Sequence, residues 1–230
     1  MIGETWHVAL AGAFLLATHF GLSSTALRPA IAGRIGEGAF LGLYSMIAAL
    51  AFAWLLFAYA WSPYGPVLWW LYPVGHYAAI ILMPIALLLV VCGYSQPNPT
   101  AIGQPQDYEA RGILRVTRHP VMWGVALWAL AHLLANGDLA SFYLFASLAI
   151  LALGGTLAID TKKGRSLGVT YQMFREQTSN IPFLAIVRGR QSAAKAVQEL
   201  GLVRLLIVIV SYGALLHLHT WLFGVPPYPV

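Results

Sequence analysis

RGILRVTRHPVMWGVALWALAHLLANGD, residues 111–138, changes character part-way along and decides the fold. Its first part is basic and polar, with Arg111, Arg115 and Arg118. His119-Pro120 follows, then an apolar run with one ionisable residue in its interior, His132. The stretch closes on Asn136-Gly137-Asp138, a turn signal. Proline suits the first helical turn, where its missing N–H is no loss, so the spacing predicts a helix over residues 120–136. At ~1.5 Å per residue it rises ~24 Å, somewhat less than the ~30 Å of a bilayer core. Arg115, Arg118 and the Asn136 turn cover the remaining depth at the two interfaces. His132 then lies in the hydrocarbon layer, where an ionisable side chain reads as a functional site and needs a partner.

Composition supports that reading. Of 230 residues, 59% are hydrophobic and only 9% charged, against about 25% charged in a soluble domain. An integral membrane protein follows, with one compact helical domain over residues 1–230. The single cysteine, Cys92, excludes an intramolecular disulfide. It also excludes a thiolate zinc site or an iron–sulfur cluster, which need several cysteines. The start, MIGETWHVAL, has no basic segment ahead of its apolar run, so no cleavable signal is expected.

Working outward, apolar runs predict six transmembrane helices at about 6–23, 39–61, 67–94, 120–136, 139–160 and 202–223. The third contains Pro73 and Pro84 and is expected to kink; it is the longest and the fourth the shortest. GVTYQMFREQTSNIPF, inside the long polar segment after the fifth, reads as an interfacial helix closed by Asn180-Ile181-Pro182. All 13 Lys and Arg residues fall in the loops 24–38, 95–119 and 161–201 or their flanking helix ends. By the positive-inside rule these loops are cytoplasmic and both termini periplasmic, in a bacterial inner (cytoplasmic) membrane. The net charge of +5 is therefore a topology signal, and no nucleic acid partner is expected.

The chemical content lies in seven histidines, since neutral imidazole is the commonest metal ligand and holds haem iron. Depth along the helices pairs His132 with His76, and His19 with His119 at the inner boundary. It does not favour His19 with His132. A lone intramembrane histidine bonded to a backbone carbonyl would be structural, and His7 and His219 near helix ends read as interfacial. Trp61, Trp69, Trp70, Trp123 and Trp221 read mostly as an aromatic belt. Arg111, Arg115 and Arg118 set topology and are also placed to hold an anion such as a propionate.

Three blocks of sequence resemble the NnrU family, a relative of the 15-cis-ζ-carotene isomerases. They are THFGLSS in the first helix with the arginine and Gly-Glu spacing that follows, the run from Gly112 to Asp138, and KKGRSLGVTYQMFREQTSNIPFLAIVRGRQ after the fifth helix. The resemblance extends to about Gln191. It implies haem b, since the isomerase relatives hold iron between a histidine of the H-x-G-L-x-S element and one of the W-x-L-A-H element. Carried over, these are His19 and His132, with Arg118 and His119 as further cofactor-binding candidates and His76 as the next ligand candidate. A cysteine three residues before the second histidine, implicated in the isomerase's redox-linked ligand change, is Ala129 here.

NnrU proteins are linked to denitrification, so the resemblance implies a role in nitrite or nitric oxide metabolism or sensing, with haem-dependent 15-cis-ζ-carotene cis–trans isomerisation as the alternative. The expected partners are membrane lipid, haem, and nitric oxide or an apolar polyene. A lesser alternative is the isoprenylcysteine methyltransferase group, which also carries an R-H-P element. Its S-adenosylmethionine site uses paired acids after the next apolar segment, where this chain has Asp160-Thr161-Lys162-Lys163.

Overall fold

The computed structural model describes residues 4–25, 27–101, 103–104 and 107–229. Residue 26 of the loop expected at 24–38, and residues 102, 105 and 106 of the loop expected at 95–119, lie outside them. The described chain is all-helical. Its helices are α1 (Thr5–Ser24), α2 (Leu27–Ile35), α3 (Glu37–Ala60), α4 (Val74–Tyr94), α5 (Pro120–Ala135), α6 (Leu139–Leu167), α7 (Val169–Gln177), α8 (Leu184–Val187), α9 (Ala193–Leu200) and α10 (Leu202–Phe223). Helices α1, α3, α4, α6 and α10 are long and apolar enough to cross a bilayer. Helix α5 is apolar but has 16 residues.

Two boundaries differ from the sequence expectation, each for a physical reason. The third apolar helix begins at Val74 rather than near residue 67. Pro63, Pro66 and Pro73 oppose a helix across residues 62–73, and that backbone finds partners elsewhere. Leu68 donates its amide to the Gly137 carbonyl at 2.7 Å, and the Trp69 indole donates to the Leu133 carbonyl at 3.0 Å. Pro73 thus stands at the N-cap, and only Pro84 lies inside the helix.

Helix α6 runs seven residues past Asp160 to Leu167, and its 29 residues make it the longest helix. The charges at Lys162 and Lys163 mark where the helix leaves the apolar layer. They do not end it, because lysine is a good helix former. Gly168, at φ 54, makes the turn into α7. The interfacial helix is present as α7 but ends at Gln177, where the Thr178 hydroxyl donates to the Phe174 carbonyl at 2.6 Å.

Packing follows the membrane rule that small residues bring helices together. Helices α4 and α5 run antiparallel through three glycines. A Cβ on Gly75 would stand 2.0 Å from the Leu134 carbonyl oxygen, one on Gly93 would meet Val121, and one on Gly124 would meet Val90 and the Ala86 carbonyl. Helix α6 lies between α1 and α5: Gly154 seats the Phe20 ring, and Gly155 faces Met122. Leu15, Leu55, Leu144, Phe145 and Leu148 share one buried cluster with Ala129 of α5. Helix α10 packs on α4, where the Tyr212 hydroxyl donates to the Ile80 carbonyl at 2.6 Å. Among its described residues it buries only Val208.

Candidate functional site

The deepest polar chemistry lies where α5 begins. Asp160, seven residues before the C-terminal end of α6, receives donors from two segments, the stretch entering α5 and helix α7. Arg118 Nε reaches its Oδ1 at 2.9 Å and Oδ2 at 3.1 Å, with Nη2 on Oδ2 as well. The His119 ring donates Nε2–H to Oδ1 at 2.7 Å, and the Tyr171 hydroxyl donates to the same oxygen at 2.7 Å. The side chains of Arg118 and Asp160 are 8% and 9% exposed, and His119 is sealed at 0%. Burial lowers the His119 imidazole below its usual range, so it stands neutral and serves as a donor. Burial and the neighbouring carboxylate raise the Tyr171 phenol, which keeps its proton. The cluster therefore contains one cation, one anion and two neutral donors.

The segment 178–183 locks onto the same place. The Arg118 amide donates to the Ser179 carbonyl at 2.9 Å, and the Thr117 hydroxyl to the Asn180 carbonyl at 2.6 Å. The Asn180 side chain accepts from the Trp123 indole at 3.2 Å and donates to Thr156 Oγ1 at 2.9 Å. Two of the sequence blocks, R-H-P and T-S-x-x-P-F, are thus halves of one buried joint tying the α5 entrance to α6 and α7. Sequence reasoning had Arg118 and His119 but missed Asp160, Tyr171 and Asn180 as their partners. The available signal was Asp160 itself, a lone acid closing an apolar run at the depth of Arg118, because a buried charge requires a counter-charge.

The other expected anion-binding arginines are also paired. Arg111 meets Glu109. Arg115 grips Glu199 of α9 through Nε at 2.8 Å and Nη2 at 2.7 Å. That guanidinium, with the Gly112 amide at 2.6 Å, lowers the Glu199 carboxyl to about 2.

Within the apolar layer, His132 donates Nδ1–H to the Trp128 carbonyl at 2.8 Å, and its ring packs between Trp128 and Phe145. Nε2 is left as the lone-pair nitrogen, the arrangement in which a backbone carbonyl orients a metal-ligating histidine. His19 packs edge-on to Tyr44 of α3 with ring centroids 5.5 Å apart. Its Nδ1 is buried with no hydrogen-bond partner among the described residues.

On donor chemistry both residues could hold a haem iron. Orphaned nitrogens also occur on His7, His76 and His119, so burial alone does not single out His19. Among the described residues no ring contact or hydrogen bond joins His19 to His132. Phe20, next to His19, meets α6 at Gly154, whereas His132 meets it at Phe145. That offset is about 13 Å along the helix. His76 lies one turn or less from the start of α4, beside Tyr72, far shallower than a helix starting at residue 67 would place it. His119 is bonded to Asp160 and not to His19. No group of three or more His, Cys, Asp or Glu side chains suited to a metal occurs among the described residues.

Fold and site define a polytopic helical membrane protein with imidazoles in its apolar layer and a buried ionic joint at one end. The family described as "NnrU protein" matches residues 7–227, and the chain belongs to it. The 15-cis-zeta-carotene isomerase of Arabidopsis thaliana, chloroplastic, is 33% identical over 180 residues, covering 75% of this chain and 48% of that protein. The chloroplastic enzyme of the same name from Zea mays is 37% identical over 86 residues, 36% of this chain and 23% of that protein. The chain thus spans about half or less of these relatives' length. No solved structure gives a significant match.

Proposed function

We infer that this is a haem b protein of the bacterial cytoplasmic membrane, in which His19 and His132 would hold the iron, acting as a cis–trans isomerase on an apolar polyene. The ligand assignment rests on the motif resemblance, and the His132–Trp128 hydrogen bond of 2.8 Å supports it by leaving Nε2 of His132 as the lone-pair nitrogen. Similarity to the two chloroplastic 15-cis-zeta-carotene isomerases supports the reaction. Bound haem supplies a Lewis-acidic, redox-active iron to a conjugated chain. The protein's own part is to orient His132 through the Trp128 carbonyl and to keep water from the surrounding layer with Leu15, Leu55, Phe145 and Leu148. A substrate soluble in lipid reaches such a site laterally. In this reading the chain crosses the bilayer six times, with α5 as the short span and both termini periplasmic, so a reporter fused after Val230 reports the outer side.

A second reading is favoured by one residue. Ala129 stands where the isomerase resemblance calls for a cysteine, and it is packed in the core cluster at 0% exposure. A haem without that thiol suits the denitrification role that the NnrU resemblance implies. Nitric oxide is apolar, partitions into lipid and binds ferrous iron. Coexpression with a pathway that accumulates 15-cis-ζ-carotene separates the two. Conversion in darkness, lost in His132→Ala, supports the isomerase. Absence of conversion by a haem-loaded protein overturns it in favour of the nitrogen-oxide role.

A further inference from the structure

A cavity lies beyond the joint, on the face carrying α7 and α8. It encloses about 1010 Å³. Five arginines line it, Arg118, Arg165, Arg175, Arg188 and Arg190, against two carboxylates, Asp160 and Glu176. Both carboxylates have partners within the protein: Asp160 is held by Arg118, and Glu176 accepts from the Gln172 amide at 3.1 Å. Arg190 turns one nitrogen to the carbonyls that end α7, reaching Thr178 at 3.0 Å, and meets no carboxylate among the described residues. The guanidinium groups of Arg165, Arg175 and Arg188 make neither an ion pair nor a hydrogen bond among the described residues. Arginines gathered around one concavity that outnumber its carboxylates repel one another, and an arginine cluster of this kind suits planar oxyanions.

The same cavity has an apolar side. Val169 and Ile181 line it and are 72% and 57% exposed. Phe183, two residues on, holds a left-handed backbone at φ 65 and is 57% exposed. The left-handed region is unfavourable for a bulky residue, and here it holds an exposed ring between the cavity-lining residues Ile181 and Leu184 in sequence. Exposed apolar side chains next to unpaired cations, at the end of a membrane bundle, match an amphiphile whose charged end is anionic.

We propose that this cavity is a binding site for a phosphate-bearing ligand, an anionic lipid whose headgroup sits among Arg165, Arg175 and Arg188 while Ile181 and Phe183 enter the acyl region. The proposal does not depend on the haem reading, since no histidine lines the cavity.

The test uses the full chain in phosphatidylcholine nanodiscs with a minor fraction of phosphatidylglycerol, the retained lipid being counted by native mass spectrometry. Arg175→Gln/Arg188→Gln is compared with Arg34→Gln/Lys195→Gln, which removes equal charge outside the cavity. At about fivefold per basic residue, the first pair weakens phosphatidylglycerol retention roughly 25-fold, and the second leaves it within about twofold. Both pairs are surface changes, and equal melting temperatures confirm an intact fold. A parallel titration with soluble pyrophosphate identifies the source of the phosphate. Binding of pyrophosphate that is lost in the cavity pair, without lipid selectivity, keeps the phosphate site but assigns it a soluble ligand. Equal loss in both pairs, or no loss in either, overturns the proposal.

Discussion

Replacing Asp160 by asparagine tests the buried joint most severely. The substitution keeps the size of the side chain and one acceptor oxygen, but it removes the charge and turns an NH2 toward a guanidinium. Arg118 then lies at 8% exposure with no counter-charge, and one of the His119 and Tyr171 bonds of 2.7 Å is weakened or lost. Removing one partner of a buried ion pair costs about 3–5 kcal/mol. For a chain of this size that corresponds to a fall in Tm of roughly 6–20 °C. The pair need not itself stabilise the fold, since apolar replacement of both partners is often neutral. Arg118→Met/Asp160→Leu is therefore expected to recover most of the loss, although the orphaned His119 and Tyr171 donors limit the recovery. The assay is thermal unfolding in nanodiscs followed by tryptophan fluorescence. An Asp160→Asn protein that melts within about 2 °C of the parent would refute the reasoning. So would a double variant no better than the single one.

The remaining predictions concern packing and pH. Gly75→Ala places a Cβ 2.0 Å from the Leu134 carbonyl oxygen and is expected to destabilise by about 1–3 kcal/mol. Gly33→Ala in α2 meets nothing within 4 Å and is expected to gain about 0.5–1 kcal/mol, so thermal melts of the two should move in opposite directions. Glu199, lowered to about 2 by Arg115, titrates near ~4.3 once unfolded. A depressed folded value means its contribution is complete above the unfolded value and fades as pH falls from there toward about 2. Hydrogen exchange of the Gly112 amide, bonded to Glu199 at 2.6 Å, should accelerate across that window. The acceleration should be absent in Glu199→Gln, and protection unchanged at the acid end would contradict the assignment.

Much of the fold was legible because long apolar runs and clustered basic residues are local signals. Six apolar helices appear near their expected places, and α7 lies where an amphipathic segment was read. What local signals miss is where a backbone finds its partners. Residues 67–72 are apolar enough for a helix, yet three prolines and the Gly137 carbonyl hold them extended. The end of α6 was hidden for the opposite reason, since lysines that leave the membrane do not interrupt a helix. At the site, Arg118 and His119 stood out by chemistry. Their common acceptor lies 41 positions beyond His119 on a helix whose rotation the sequence does not disclose. Depth counting did not favour pairing His19 with His132, and only the motif resemblance couples them.

The absorption spectrum of the protein purified from a haem-sufficient host tests the central claim most directly. The account predicts a Soret band that survives His76→Ala and disappears in His19→Ala/His132→Ala, with each single variant showing loss or a change of ligation. A Soret band unchanged in the double variant, or a parent protein that takes up no haem, contradicts it.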